Sequence, residues 1–384
     1  MEPNGALSGF RIVELCSGLC GPYATMRMGD AGADVIKIEP PEGDVARRFA
    51  TVANGVDAPA FLAVNRNKRS LVADLTTAAG LALVRRLVES ADVLVEDLGP
   101  GEAERLGLVA GLDRLVHCSI TPFGERGPWA GFPGSELVVQ AASETPLSLG
   151  RPGEPPLRLG ADVAALNTAV FASQAVTAAL FGRLRTGQGQ KVAVSQLGSL
   201  LHIRGILWAA QSDPDEWSGF HLDGYIRRVD DGYRTADGRI YFALRRATSE
   251  DYDNLMITLG LVDYLVDPRF GNYGRDAAPL GRRAPESVEV WEEGFADFTS
   301  GELIDLLLAA GGDAVPMMDH AAIVAHPQVE ALGLLIDVER SDGTTYRDLV
   351  PVCRMSDTPQ SIRRGAPRLG EHTAEILAEL DNLD

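Results

Sequence analysis

Four cysteines, six histidines and a glycine-bearing turn are the first residues that could carry chemistry in this chain of 384 residues. Cys16 and Cys20 stand four apart in an apolar stretch, with no second Cys or His pair spaced to complete a zinc site. Cys118 and Cys353 are isolated, and so few thiols make no disulfide framework; they suit a reducing, cytoplasmic setting. His320 and His326 match no ligand spacing, so no metal is expected. Gly18-x-x-Gly21, followed by Pro22, lacks the third glycine and the spacing with which a backbone approaches a pyrophosphate, and no Walker A sequence is present. It reads as a tight strand-to-helix turn.

The elements that must position these residues alternate. Phe10 to Leu15 reads as a strand, Cys16 to Pro22 as a loop, Tyr23 to Ala31 as a helix and Asp34 to Ile38 as a second strand. Strands over 70–75, 92–96, 114–120 and 190–194 follow, with helices over 78–90 and 195–210. This alternation predicts an α/β fold with a mostly parallel sheet. Val163 to Leu184 is a long Ala-rich helix closed by Thr186-Gly187. Residues 211–232 change character and read as a linker. Tyr233 to Leu244 forms a hairpin about Asp237-Gly238, Glu302 to Ala309 a helix, and 334–339 with 346–353 a second hairpin. A short helix over 371–380 ends the chain.

Formal net charge is −19. Such a field repels phosphate backbones and anionic headgroups, which argues against nucleic-acid and membrane partners. No uninterrupted apolar run is long enough to span a bilayer, and no secretory signal is apparent at the N-terminus.

Specific stretches then accumulate. Leu7-x-Gly9-x-Arg11-Ile12-Val13-Glu14-Leu15, Gly21-Pro22, Gly32 to Glu39 and Gly43-Asp44 resemble the opening of the class III CoA-transferases, the CaiB/BaiF family. Asn65-x-x-Lys68-Arg69-Ser70, Asp92 to Glu96, Ser119-x-x-Pro122-Phe123-Gly124, Gly127-Pro128, Thr186-Gly187-x-Gly189-Gln190 and Ala366-Pro367-x-Leu369-Gly370-Glu371-His372-Thr373 continue the resemblance in order. It implies a large Rossmann-like domain built from both chain ends (1–210 and 326–384) and a small α/β domain (233–325). It also implies a homodimer of two interlocked, ring-like subunits. Coenzyme A, entering as an acyl-CoA substrate, would lie along Leu19, Cys20, Pro40, Ala73, Asp74, Leu75, Asp97, Leu98, Gly99 and Arg105. The Arg105 guanidinium would suit a nucleotide phosphate; without the family context it is a solvated helix arginine.

Members of the family transfer CoA between carboxylic acids through an aspartate nucleophile, because only a carboxylate can form first an anhydride and then a thioester. The resemblance places that aspartate at Ala165, whose methyl group cannot act. Three carboxylates remain as candidates: Asp162, otherwise an N-cap for the long helix; Glu144, where the family has glycine; and Glu136, at a family acidic position. Ser135 replaces the histidine that the family's racemases use. Gly219 to Asp231 lacks the glycine run of the loop that shields acyl-enzyme intermediates in the relatives of formyl-CoA transferase. Three readings follow: a CoA-transferase with a substitute carboxylate, a silent CoA-binding subunit of a mixed complex with a homologous catalytic subunit, or an acyl-CoA isomerase or lyase working without a covalent intermediate.

Overall fold

The computed structural model describes residues 5–49, 57–148, 155–205, 232–244, 246–267 and 287–382. The linker reading (211–232), the shielding loop (219–231) and the end of the helix expected over 195–210 therefore fall largely or wholly outside the described residues. The chain divides into two compact units, one of residues 1–146, 158–204 and 330–384, the other of 147–157 and 205–329.

In the first unit, strands β1 (Arg11–Leu15), β2 (Asp34–Glu39), β3 (Lys68–Val72), β4 (Val93–Glu96), β5 (Val116–Thr121) and β6 (Lys191–Ser195) form one sheet in the order β3-β2-β1-β4-β5-β6. Every pairing is parallel, as with Ile12 opposite both Val35 and Val93. The expected α/β class is therefore borne out. The order reverses direction at β1, so the chain leaves β1 and β4 on opposite sides of a crevice, the usual ligand position in such sheets.

The helices of this unit are α1 (Cys20–Asp30), α2 (Pro59–Leu62), α3 (Ala78–Glu89), α4 (Glu102–Arg105), α5 (Glu136–Ala142), α6 (Val163–Thr186), α7 (Gln196–Ile203) and a C-terminal helix, Thr373–Asp381. Helix α1 starts three residues earlier than the sequence suggests, taking in Cys20, Gly21 and Pro22. The missing N–H of Pro22 is harmless in a first turn, where that donor has no helical partner. Gly21 is needed for close approach: a Cβ there would fall 2.2 Å from Cys16 Sγ.

Helix α6, of 24 residues, ends at Gly187 in the left-handed conformation, as its sequence signals. It is long and apolar enough to cross a membrane, which corrects the expectation that no such segment exists. Ala164, Ala169, Ala172, Val176, Ala179 and Leu180 are buried, and the helix packs on α1 and the sheet as a core element. Its small residues let the two helices approach closely.

Ion pairs bind the sheet to the end of the chain. Arg69, only 6% exposed, holds Asp34 at 2.6 Å, Glu375 at 2.9 Å and Glu379 at 2.6 Å. Arg66 spans Asp30 at 2.7 Å and Asp348 at 2.8 Å. Asp57 lies between Arg47 at 2.9 Å and Arg340 at 2.8 Å.

The second unit contains β7 (Tyr233–Arg234), β8 (Arg239–Ala243) and β9 (Asp313–Pro316) in one antiparallel sheet. The expected hairpin is β7–β8. Strand β9, unmarked in sequence because it is short and half exposed, completes it. Tyr233, Phe242, Trp291 and Phe295 form an edge-to-face aromatic core beneath. The other expected hairpin, β10 (Leu335–Glu339) and β11 (Thr345–Leu349), belongs to the first unit and is antiparallel as expected, though it stops short of 353.

Candidate functional site

Beneath the crevice lies a set of buried charges whose residue types the motifs above supply. Glu14, Lys37 and Lys68 are each 0% exposed. Lys37 Nζ stands 2.7 Å from Glu14 Oε1 and 2.7 Å from Asp44 Oδ2, and donates to the Cys16 carbonyl at 3.0 Å. Lys68 Nζ reaches Glu14 Oε2 at 2.8 Å, Asn65 Oδ1 at 2.8 Å and the Pro22 carbonyl at 2.7 Å. Thr25 donates to the same Glu14 carboxylate. Burial opposes every charge here, yet the two lysines hold Glu14 below the usual carboxylate range. Burial also drives Lys68 down to about 8, because it shares one carboxylate with a second cation. Lys37, facing Glu14, Asp44 and Glu39, is instead held high.

This cluster fixes the loop after β1. The Gly18 N–H donates to Asp44 Oδ1 at 2.9 Å, and the Ser17 N–H to Asp97 Oδ2 at 3.0 Å. The second bond ties the loop after β1 to the loop after β4 across the point where strand order reverses. Burial raises Asp97 to about 7, against the Ser17 N–H and Lys37, with Glu96 and Asp44 adding to the rise. In the unfolded chain Asp97 ionises near 3.8. The folded state thus binds the extra proton between those values, and this group's contribution to stability falls as pH rises from about 4 to about 7.

The residues expected along CoA all follow the carboxyl ends of four adjacent strands. Leu19 and Cys20 open α1 after β1, and Pro40 follows β2. Ala73, Asp74 and Leu75 follow β3; Asp97, Leu98 and Gly99 follow β4. Arg105 ends α4, two-thirds exposed, with Nε 2.8 Å from Glu102 Oε2. It is neither unpartnered nor buried, so a phosphate would have to draw it from that surface pair. Cys20 is buried with its thiol pushed high, and burial carries Cys118 up to about 12. Neither thiol is poised as a nucleophile.

The three candidate carboxylates differ in setting. Asp162 stands at the N-cap position of α6 but makes no capping bond; it pairs with Arg158 at 3.8 Å. The cap comes from elsewhere. Glu136 Oε1 accepts from the Ala164 N–H at 2.8 Å and Oε2 from the Ala165 N–H at 2.9 Å, while Gln140 Nε2 donates to Oε1 at 2.7 Å. A carboxylate on the first amides of a 24-residue helix is stabilised by the N–H groups and the helix dipole together. The reading of Asp162 as the cap is corrected accordingly. Helix α5, which presents Glu136, carries no sequence signal that singles it out, because most of its residues are exposed and its apolar period is short. Ser135 precedes it and makes no capping bond.

Glu144 lies just past the C-terminal end of α5 with φ 66°, a left-handed conformation that favours glycine. That explains why glycine suits this place. The Glu144 side chain approaches Arg204 at 3.4 Å and is half exposed. Glu144→Gly should stabilise the protein by about 0.5–1 kcal/mol, since relief of the left-handed strain exceeds an exposed ion pair. Urea unfolding measures this; a destabilised variant would show that the Arg204 contact outweighs the strain.

The profile of CoA-transferase family III matches residues 7–373. A succinate–glutarate CoA-transferase of Agrobacterium fabrum is 35% identical, over 98% of this chain and 96% of that protein. The beta subunit of a succinyl-CoA–L-malate CoA-transferase of Chloroflexus aurantiacus is 28% identical, over 97% and 94%. The crystal structure of a CaiB/BaiF family protein from Brucella suis superposes with a TM-score of 0.83 at 29% identity, covering 98% of this chain and all of that one. With the parallel sheet, its crevice and the motif residues beneath it in place, the chain belongs to CoA-transferase family III.

Proposed function

We propose that this protein binds an acyl-CoA thioester along the loops after β1 to β4 and moves coenzyme A between small carboxylic acids, with Glu136 as the carboxylate that takes the acyl group. The observation that carries this is the bond from the Ala165 N–H to Glu136 at 2.9 Å. The family's nucleophile would project from that residue, and a carboxylate instead comes to it from α5. Glu136 is half-buried, whereas Asp162 and Glu144 lean towards Arg158 and Arg204.

The chemistry balances on one side chain. Glu136 attacks the thioester carbonyl, forming an anhydride and releasing CoA thiolate; the thiolate then attacks the glutamyl carbonyl, releasing the first acid and leaving a glutamyl thioester. The acceptor carboxylate attacks that thioester, expelling thiolate and forming a second anhydride. Thiolate attack on the acceptor's carbonyl restores the Glu136 carboxylate. Each oxyanion needs donors, and backbone N–H groups are the available kind. Relatives named for succinate, glutarate and malate favour dicarboxylic acids as the substrate class. Two copies interlocked as a dimer would cover the exposed Leu137, Val138, Phe181 and Leu184.

A second reading rests on the methyl group of Ala165 and on the relative named a beta subunit: a CoA-binding chain that serves a catalytic homologue. Incubation with succinyl-CoA or glutaryl-CoA, a hydroxylamine quench and peptide mass spectrometry separate the two. A hydroxamate at Glu136 is the expected result. Modification of Asp162 or Glu144 would reassign the nucleophile, and no modification despite CoA binding would leave the silent subunit or an acyl-CoA isomerase or lyase working without a covalent intermediate.

A further inference from the structure

A cleft of about 380 Å³ lies at the edge of the first unit, lined by Glu339, Arg340, Arg363, Arg364, Glu371 and His372 among others. It adjoins the amino-terminal half of β3: the Asn67 N–H donates to the Arg364 carbonyl at 3.0 Å, and the His372 N–H to the Ser70 carbonyl at 3.0 Å. The expected CoA residues follow the carboxyl ends of the strands instead.

The donors in this cleft are in excess. The Ser70 N–H donates to His372 Nδ1 at 3.3 Å, so the neutral ring carries its proton on Nε2. Arg364 Nη1 lies 3.4 Å from that Nε2. Both atoms bear hydrogens, and neither can accept from the other. Arg363, next to Arg364, donates through Nη2 to the Gly29 carbonyl at 2.8 Å and the Ala33 carbonyl at 3.2 Å. Among the described residues neither guanidinium has a carboxylate within ion-pair distance, in contrast to Arg47, Arg66 and Arg69. Of the two acids lining the cleft, Glu371 accepts from the Arg368 N–H at 2.7 Å and, with Glu375, favours a charge on His372, while neither it nor Glu339 lies within ion-pair distance of Arg363 or Arg364 among the described residues. The third arginine, Arg340, is already held by Asp57. Partial burial and the Arg364 charge disfavour the Arg363 cation, against Asp30 and Asp34, which favour it.

We propose that this cleft is a second ligand site, apart from the thioester site, which takes a phosphate-class dianion between the Arg364 guanidinium and the His372 Nε2–H. A guanidinium fork beside a ring N–H presents several donors to one tetrahedral group, whose negative charge complements Arg364. The site does not depend on whether Glu136 is the nucleophile.

Inorganic phosphate is the probe, titrated calorimetrically into the full chain against chloride at equal ionic strength. Binding near ~1 mM is expected. Arg364→Ala and His372→Asn should each weaken it about tenfold or more, because charge-assisted bonds are lost. The exchange at His372 is chosen to spare the fold: the asparagine amide keeps an acceptor for the Ser70 N–H, and the Nε2 donor is what goes. Arg368→Ala, which alters an exposed neighbour, should bind as the wild type does. Saturating CoA should leave the phosphate affinity unchanged. Absence of phosphate binding, undiminished affinity in the Arg364 and His372 variants, tighter binding of succinate than of phosphate, or displacement by CoA would each overturn the proposal. Displacement by CoA but not by dephospho-CoA would place the cleft within the CoA site.

Discussion

Glu136→Gln is expected to lower CoA transfer by at least about 10³-fold while leaving the fold within about 1 kcal/mol of the wild type. An amide cannot form the anhydride, and removal of a covalent nucleophile elsewhere costs factors of this size and more. The glutamine oxygen can still accept one of the two N–H groups of Ala164 and Ala165, so only part of the cap is lost. The informative quantity is the contrast between a large loss of turnover and a small shift in the urea midpoint. Equal losses in both would assign Glu136 to structure alone. Retained turnover would remove it from the chemistry. Because Gln140 also holds this carboxylate, a Gln140→Ala variant should show a smaller loss of turnover without trapping at a new residue.

Lys37→Met should be the most destabilising single change in the first unit, at about 3–5 kcal/mol. Methionine fills a similar volume, so the loss is electrostatic. Asp44 would be left with a buried carboxylate 1% exposed and no cation, while Glu14 would retain Lys68. Asp44 also holds the Gly18 N–H, so the loop after β1 should loosen with it. Urea unfolding at pH 7 measures the loss, and a change below about 1 kcal/mol would show that the cluster relaxes without its central charge. CoA binding should weaken in the same variant, because the loop that Asp44 pins opens the crevice.

The sheet is legible in the sequence because most of its strands are short apolar runs at regular spacing. Five of the six appear within two residues of where the alternation puts them, while β3, expected over 70–75, is shifted to Lys68–Val72 because its charged first residues, Lys68 and Arg69, are buried in ion pairs. Helix α1 begins earlier than its sequence suggests, because Gly21-Pro22 looks like a turn until one sees that Gly21 admits Cys16 beside it. The cap of α6 is out of reach of such reading. A residue at 162 is adjacent in sequence, but the carboxylate on the Ala164 and Ala165 amides comes from 28 and 29 residues away. Likewise, composition shows three lysines without hinting that Lys37 and Lys68 are fully buried around Glu14. Such pairings are set by strand order, which a linear motif does not display. The motif Asn65-x-x-Lys68-Arg69-Ser70 is therefore better understood as an anchor for the sheet and the C-terminal helix than as a set of reacting groups.

The pairing of Arg69 with Glu379 across 310 residues has a consequence for how the protein is made. The strands of the parallel sheet leave the ribosome early, but the partners of Arg66 and Arg69 at 348, 375 and 379 leave some 150 residues or more after the last of them. At ordinary synthesis rates, the stretch between α7 and the C-terminal helix takes on the order of ten seconds to appear. For that interval the sheet carries guanidinium groups still waiting for these carboxylates, and an uncovered edge at β3. Completion of the first unit therefore waits on synthesis of these distant carboxylates, and a chain truncated ahead of Glu375 would be expected to remain in the state that the nascent chain occupies before they emerge.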